Sequence, residues 1–251
     1  MLIFFQRIAF GIIPIVLAFC LFFNVKQQPG TLCCKVLCPW WYQTTNSSYA
    51  GYRMVEDLNT CYANCRGDLK LIVMPESTFC FDIKTYQYFI SLWCENLDDV
   101  TIIFGTHEHH DGGAYNVVYA ICNGSIIFRY RKQHLMPFVE YHPKWLQWFG
   151  IAPFFHGVAA RVPDFQDQNN DDIIMLEGQL YQIFVCSELF FQAKSVKGYP
   201  IILLWNDSYL RYDWIKQLAL IFIQYFEWKY QIVVWHVSTT GISNIGKVDN
   251  I

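Results

Sequence analysis

Residues 179–186 read QLYQIFVC, an apolar run that ends at a cysteine. Two other runs have the same form: residues 71–76 read LIVMPE and end at a glutamate, and residues 128–132 read FRYRK and end at a lysine. Short apolar runs of this length predict β-strands. Functional sites of open α/β sheets lie at the carboxyl ends of the strands. The sequence therefore predicts that Glu76, Lys132 and Cys186 stand at strand ends where a site can form.

Predicted strands and helices alternate along the rest of the chain. One hairpin interrupts the alternation, because Asn123-Gly124 is a preferred two-residue turn between antiparallel strands. This order predicts an α/β layered domain with a mostly buried sheet. The predicted strands cover residues 31–42, 69–74, 100–105, 114–122, 125–130, 179–186, 201–205 and 232–237, and the predicted helices cover residues 49–64, 83–95 and 209–229.

The composition indicates a large core together with a surface that touches lipid. Apolar residues make up 54% of the chain and charged residues only 16%, and both values lie outside the usual range of soluble domains. The formal net charge is -3, and the chain has no basic run. A nucleic-acid partner is therefore excluded as an interpretation.

The first 24 residues form the most apolar segment of the chain. Before Asn24 the only polar side chains are Gln6 and Arg7. This length predicts a single transmembrane anchor over residues 1–24. A cleaved signal peptide is the alternative, but the bulky Phe19 stands where a small residue is expected before the cleavage site. Arg7 favours a cytoplasmic amino terminus, which places residues 31–251 outside the membrane.

Ten cysteines and a histidine-rich segment invite a metal hypothesis. Cys34/Cys38 and Cys61/Cys65 have wider spacing than is usual for structural zinc sites, so buried free thiols are the favoured interpretation and disulfides stay open. Residues 107–111 (HEHHD) lack the helical H-E-x-x-H spacing and predict a polar hairpin loop. We expect no metal site and no cofactor.

A glutamate, a lysine and a cysteine together are suited to acyl transfer. A desolvated carboxylate can take the proton of a thiol, and a fixed cation can stabilise both the thiolate and a tetrahedral oxyanion. Each residue alone means little, since single cysteines are usually core residues and single charged residues usually lie at the surface. The hypothesis is that Glu76, Lys132 and Cys186 act as one catalytic set.

Several motifs resemble those of bacterial apolipoprotein N-acyltransferases, a family of the nitrilase (carbon-nitrogen hydrolase) superfamily. The most specific is residues 129–143, which resemble the family run that carries its catalytic lysine and a further essential glutamate. The resemblance places these residues at Lys132 and Glu140. The matching stretches, in family order, are residues 75–77 (PES), 129–143 (RYRKQHLMPFVEYHP), 185–188 (VCSE), 205–209 (WNDSY) and 238–243 (STTGIS).

The resemblance implies a nitrilase-like four-layer α-β-β-α sandwich over residues 31–251. It also implies a ping-pong reaction at the periplasmic side of a bacterial inner membrane. Cys186 would take an acyl chain from a phospholipid as a thioester, with Glu76 as base and Lys132 at the oxyanion. The acceptor would be the terminal amine of a diacylglyceryl-cysteine apolipoprotein. Glu140 and Glu188 would order Lys132 and the amine.

The segment 143–161 decides between a lipid substrate and a soluble one. It contains seven large apolar side chains and few charged ones. Such a segment favours a loop that faces the membrane, although a core or an oligomer contact is the alternative. In the resembling family the corresponding segment is an apolar arm at the mouth of the active site.

The chain also departs from the family pattern. Family members have several membrane helices before the catalytic domain, whereas this sequence has one candidate, so we expect a reduced relative, a fragment, or a partner that supplies the missing helices. Val139 replaces a glycine and Ser187 replaces a tyrosine, and the chain stops soon after residue 243. Two alternatives therefore stay open: a membrane-tethered carbon-nitrogen hydrolase (amidase), and a degenerate remnant without activity.

Overall fold

Two five-stranded β-sheets lie at the centre of the described part of the chain. The computed structural model describes residues 34–36, 47–64, 69–79, 82–110, 113–135, 171–191, 196–207, 213–239 and 241–243. The strands are β1 Cys34–Val36, β2 Leu71–Val73, β3 Thr101–His110, β4 Gly113–Cys122, β5 Ser125–Arg131, β6 Ile173–Leu176, β7 Gln179–Val185, β8 Ile201–Trp205, β9 Val234–Ser238 and β10 Gly241–Ser243. The helices are α1 Ser47–Asn64, α2 Gln87–Cys94, α3 Glu188–Phe191 and α4 Asp213–Tyr230, with a 3-10 helix at Ile83–Tyr86.

Each sheet combines a parallel part with an antiparallel part. In the first sheet the order is β1-β2-β3-β4-β5, with β1, β2 and β3 parallel and the β3-β4-β5 meander antiparallel. In the second sheet the order is β10-β9-β8-β7-β6, with β7, β8 and β9 parallel and both edge strands antiparallel. The parallel strands place the residues that follow β2, β7 and β8 at the carboxyl ends of their sheets.

Three apolar clusters show that the layers are stacked helix, sheet, sheet, helix. The first lies between the first sheet and helices α1 and α2, the second between the two sheets, and the third between the second sheet and α4. Strands β7 and β8 are buried on both faces, which explains their continuous apolar runs. Representative members are Met54, Trp93 and Phe104 in the first cluster, Val118, Ile183 and Ile202 in the second, and Phe184, Leu203 and Ile223 in the third.

The structure confirms the mixed α/β class with two sheets and corrects several element boundaries. The hairpin turn is present, with positive φ at Asn123 and Gly124. The predicted polar loop after residue 105 is wrong over most of its length, because β3 continues to His110. His107 pairs with Asn116 and His109 with Ala114 on the long strand β4. Edge strand β6 was not predicted. Helix α4 is described from Asp213 to Tyr230, and the predicted start at residue 209 lies outside the described residues.

Three predicted features lie outside the described residues. They are the transmembrane anchor over residues 1–24, the apolar arm over residues 143–161, and Glu140 with its neighbour Val139. Of the helices that the structure does describe, none has both the length and the hydropathy to cross a bilayer. The membrane anchor therefore stays a prediction.

Candidate active site

Glu76 sits in a tight turn that follows β2. Ser77 has a φ of 55°, in the left-handed region that side chains rarely adopt, so the backbone reverses directly after the glutamate. Gly105 of β3 lies against this turn and donates its N–H to the Pro75 carbonyl at 3.3 Å. A Cβ on Gly105 would lie 2.7 Å from the Ser77 nitrogen and 2.8 Å from the Glu76 Cα. Glycine is thus required at position 105, because any side chain there would prevent the Glu76 turn from packing this closely against β3.

The Glu76 carboxylate is buried and accepts hydrogen bonds from groups on three different elements. Asn116 of β4 donates through Nδ2 to Oε1 at 2.7 Å, and Lys132 donates through Nζ to the same oxygen at 3.4 Å. The backbone N–H of Asn206, just after β8, donates to Oε2 at 3.1 Å. Because Asn206 belongs to the second sheet, this bond joins the carboxyl ends of the two sheets.

Lys132 follows β5 directly and is 1% exposed. Its backbone N–H donates to the Asn116 carbonyl at 2.8 Å, which extends the β4-β5 ladder by one step. Burial of an ammonium group is costly unless it is paired with a carboxylate, and Glu76 supplies that charge. The structure thus brings two of the predicted site residues into direct contact.

An ion cluster fixes the strand that carries Lys132. Arg131 donates through Nε to Glu108 at 3.0 Å, and its guanidinium lies 4.0 Å from the centre of the Tyr115 ring. Arg129 also pairs with Glu108. Burial raises the pKa of Glu108, but the hydrogen bonds from both arginines outweigh this and leave that pKa below its usual value. Glu108 therefore stays charged and holds the end of β5.

Cys186 occupies a strained position directly after β7. Its φ is 52°, which is uncommon for a residue with a Cβ. Its backbone N–H donates to the Leu204 carbonyl of β8 at 2.8 Å, and its half-buried side chain packs against both the intersheet cluster and the α4 cluster. Asn206, which contacts Glu76, stands two residues after Leu204. The Cys186 segment and the Glu76 segment are thus bonded to the same end of β8.

Glu188 connects the Cys186 segment to the Lys132 segment. Its Oε1 accepts from the Gln133 N–H at 2.6 Å, the His134 N–H at 3.1 Å and the Tyr130 hydroxyl at 2.9 Å, and its Oε2 accepts from the Val185 N–H at 2.9 Å. Complete burial raises the pKa of Glu188 to about 7, although nearby Lys132 and the backbone donors lower it. Glu188 thereby ties the backbone on both sides of the candidate site.

The hydroxyl of Ser187 is a further polar group beside Cys186. The side chain is 4% exposed, and its Oγ has no hydrogen-bond partner among the residues that the structure describes.

Asn116 is a residue of the candidate site that no motif in the sequence indicates. It lies in the middle of β4, within an apolar run that predicts only a buried strand. A buried asparagine in such a run is the one signal that was available, since a buried amide requires partners. Among the residues that the structure describes, no group of three or more His, Cys, Asp or Glu side chains is placed to hold a metal ion.

Two curated relatives are similar to this chain in sequence. An apolipoprotein N-acyltransferase of Campylobacter jejuni is 24% identical over 181 residues, which cover 70% of this chain and 38% of the relative. An apolipoprotein N-acyltransferase of Aquifex aeolicus is 31% identical over 145 residues, covering 56% of this chain and 32% of the relative. The chain thus spans less than two fifths of the length of the curated relatives that it matches. No protein-family profile matches it.

Solved structures share the fold, among them a member of the nitrilase superfamily. An amidase of that superfamily from Nesterenkonia superposes with a TM-score of 0.58 at 8% identity, covering 86% of this chain and 79% of the amidase. A glutamine-dependent NAD+ synthetase from Acinetobacter baumannii superposes with a TM-score of 0.51 at 16% identity, covering 77% of this chain and 35% of the synthetase. At such identities the likeness concerns the fold alone. The chain has a nitrilase-like fold and is similar in sequence to apolipoprotein N-acyltransferases.

Proposed function

We propose that this chain carries the catalytic part of an apolipoprotein N-acyltransferase. Cys186 would take an acyl chain from a phospholipid as a thioester and pass it to the terminal amine of a diacylglyceryl-cysteine apolipoprotein. The sequence similarity to two proteins of that name supports this choice of reaction. The observation that supports it most is the buried Glu76–Lys132 pair, held against the same end of β8 that accepts the Cys186 N–H.

In the proposed first step Glu76 takes the thiol proton of Cys186, and the thiolate attacks the ester carbonyl of the phospholipid. Lys132 and a backbone amide near Cys186 stabilise the oxyanion of the tetrahedral intermediate. The carbon-oxygen bond then breaks, and Glu76 returns its proton to the lysophospholipid alcohol. The products of this half-reaction are the Cys186 thioester and the lysophospholipid.

In the proposed second step the free amine of the acceptor attacks the thioester. Glu76 takes a proton from the amine, the carbon-sulfur bond breaks and the amide is released, and Glu76 returns the proton to the Cys186 thiolate, which restores the starting state. Glu188 holds the backbone on both sides of the site, and Glu140 is proposed to act beside Lys132.

The proposed setting is the outer face of a bacterial inner membrane. The predicted anchor over residues 1–24 and the predicted arm over residues 143–161 would both contact lipid there. If water instead of the amine accepted the acyl group, the same residues would act as a carbon-nitrogen hydrolase. If Cys186 were unreactive, the chain would be a degenerate remnant without activity.

The test is to incubate membranes that contain the full chain with an isotope-labelled phospholipid and to measure the intact mass of the protein. We expect one acyl adduct, absent in Cys186→Ala and released by hydroxylamine, because hydroxylamine cleaves thioesters. Cys122→Ala is the matched control, since Cys122 is also a partly exposed free cysteine but lies at the end of β4. This control variant should keep the adduct.

The absence of an adduct in folded protein would contradict the transferase proposal. The rate at which iodoacetamide alkylates Cys186 would then separate the remaining possibilities. Fast alkylation relative to Cys122 would favour a hydrolase, and equal rates would favour a remnant.

A further inference from the structure

Two of the matching sequence stretches, residues 205–209 and 238–243, meet at the carboxyl end of the second sheet. Strands β8 and β9 end within these stretches and are paired in parallel up to their last residues. The proposed reaction steps assign no role to either stretch. The parallel ladder brings the residues that directly follow the two strands close together, namely Asn206 and Asp207 after β8 and Thr239 after β9.

The Asp207 carboxylate joins the two strand ends. The side chain is buried, and its Oδ1 accepts a hydrogen bond from the Thr239 hydroxyl. Its Oδ2 lies 4.0 Å from the Nζ of Lys216 on α4. A hydrogen bond to a charged carboxylate is stronger than one between neutral groups. Asp207 is therefore held both by the neighbouring strand end and by the helix that covers the sheet.

The residue before Asp207 is in direct contact with the proposed base. The Asn206 N–H donates to Oε2 of Glu76 at 3.1 Å, whereas side chains of the first sheet donate to Oε1. Asn206 follows a strand of the second sheet, and that sheet also carries Cys186. Because the backbone has only two soft dihedral angles per residue, a shift of Asp207 is transmitted to the Asn206 N–H. The orientation of the Glu76 carboxylate therefore depends on how firmly Asp207 is held.

His236 of β9 is a further ionisable group near Asp207. Burial lowers the pKa of His236 to about 4, although the Asp207 carboxylate opposes this shift. The imidazole is therefore neutral near pH 7, and its ring packs edge-to-face on the Trp205 ring at a centroid distance of 5.5 Å. A neutral His236 does not compete with Lys216 as the cation beside Asp207.

We propose that Asp207 and Thr239 are positioning residues for Glu76. Their hydrogen bond fixes the backbone after β8, so that the Asn206 N–H holds Oε2 of Glu76 in the orientation in which the carboxylate takes the Cys186 proton. Neither residue touches the reacting atoms in this role. The proposal rests on the proposed function only in that Glu76 is the base for Cys186, and it holds for any acyl donor and acceptor.

The test compares Thr239→Val with the wild-type full chain in detergent by the rate at which iodoacetamide alkylates Cys186, measured from about pH 6 to about pH 10. Valine has nearly the shape of threonine but has no hydroxyl to donate. We expect alkylation to be about fivefold slower near pH 7, which is the effect of losing one hydrogen bond. At high pH the two rates should converge, because the thiol ionises there without a base. Thr239→Ser keeps the hydroxyl and should restore the wild-type rate.

Three further variants separate positioning from a general loss of structure. Thr60→Val is the matched control, since the Thr60 hydroxyl donates to the Glu56 carbonyl at 2.8 Å on an exposed helix, and it should match the wild type at every pH. In a Glu76→Gln background Thr239→Val should have no further effect, because the base through which it acts is absent. Asp207→Asn removes the charge but keeps an acceptor, and it should slow alkylation with the same pH dependence. Circular dichroism checks that each variant is folded.

Three outcomes would overturn the proposal. They are a wild-type rate in folded Thr239→Val, a slowing that is equal at every pH, and an additional slowing in the Glu76→Gln background. Failure of the proposed function is distinguishable, because the acyl adduct on Cys186 is measured separately. A pH-dependent defect in Thr239→Val without an acyl adduct in the wild type would leave the positioning role standing and remove the acyltransferase.

Discussion

At the scale of single residues, Glu76 shows how a buried charge is kept in a functional orientation. Its two oxygens accept from a side-chain amide, an ammonium group and a backbone N–H that belong to three separate elements. Charge-assisted hydrogen bonds of this kind are stronger than neutral ones, and together they restrict the rotation of the carboxylate. The strongest geometric restraint comes from Asn116, whose bond is the shortest of the three.

We predict that Asn116→Leu slows the alkylation of Cys186 by iodoacetamide about 10-fold, because a hydrogen bond to a charged group contributes about 1.5–3 kcal/mol. Leucine has a similar size but cannot hold the carboxylate that is proposed to receive the thiol proton. The rate is measured by mass spectrometry of the peptide that contains Cys186.

Asn96→Leu is the matched control for this prediction. Asn96 donates to Asn59 at an exposed position away from the site, so its replacement should leave the alkylation rate unchanged. An unchanged rate in folded Asn116→Leu protein would contradict a positioning role for Asn116.

At the scale of secondary-structure elements, the close packing of the Glu76 turn against β3 is the feature on which the site depends. The backbone atoms that a Cβ at position 105 would meet belong to Glu76 and Ser77, and backbone cannot rotate away as a side chain can. The turn itself is already strained by the positive φ of Ser77. Any side chain at position 105 must therefore shift the turn.

We predict that Gly105→Ala lowers the alkylation rate of Cys186 by about 100-fold, since misplacement of a catalytic group by about 1 Å has an effect of that size. We also expect a loss of about 1–3 kcal/mol in the free energy of unfolding from overpacking. The first quantity is measured as above and the second by urea titration.

Gly178→Ala separates backbone strain from displacement of the site. Gly178 has a φ of 76° and open space around its Cβ position, in the turn between β6 and β7. Alanine there should reduce stability by about 1 kcal/mol without slowing alkylation. If Gly105→Ala reacted as fast as Gly178→Ala, the turn would not position the glutamate.

At the scale of the whole molecule, burial of ionisable groups in the layers makes stability depend on pH. Burial raises the pKa of Glu188 to about 7 and that of Glu227 to about 7, and burial lowers the pKa of His236 to about 4. Between about pH 5 and the pKa of histidine in the unfolded chain, Glu188 and Glu227 are protonated in the folded chain and ionised in the unfolded chain. His236 is neutral in the folded chain and protonated in the unfolded chain. The folded state thus binds one more proton than the unfolded state.

The free energy of unfolding should therefore fall as the pH rises from about 5 to about 7, by at most about 1.4 kcal/mol per pH unit for each proton. We predict that Glu227→Gln removes one of the two carboxyl protons and flattens this dependence at the acidic end. Urea titrations at several pH values measure both slopes. A wild-type stability that rises with pH over this range would contradict the prediction.

The sequence by itself was sufficient for the parts of the molecule that depend on local pattern. Apolar runs with a polar or reactive residue at the end predicted β2, β5, β7 and β8, and the Asn-Gly pair predicted the hairpin. A short apolar run must be buried wherever it lies in the fold, so its local pattern is enough to predict a strand. The placement of Glu76 and Lys132 near each other followed from those strand ends, whereas the catalytic roles of Glu76, Lys132 and Cys186 stay predictions.

Only the tertiary structure decided the features that join residues far apart in the chain. The continuation of β3 through His107 and His109 comes from its ladder with β4, which overrides the polar local sequence. The hydrogen bond between Asn116 and Glu76 and three of the four hydrogen bonds of Glu188 join residues that are 40 to 58 positions apart in the sequence. These hydrogen bonds share one physical reason. A polar group buried between layers needs a hydrogen-bond partner on the element that packs against it, and no local sequence pattern specifies which element that is.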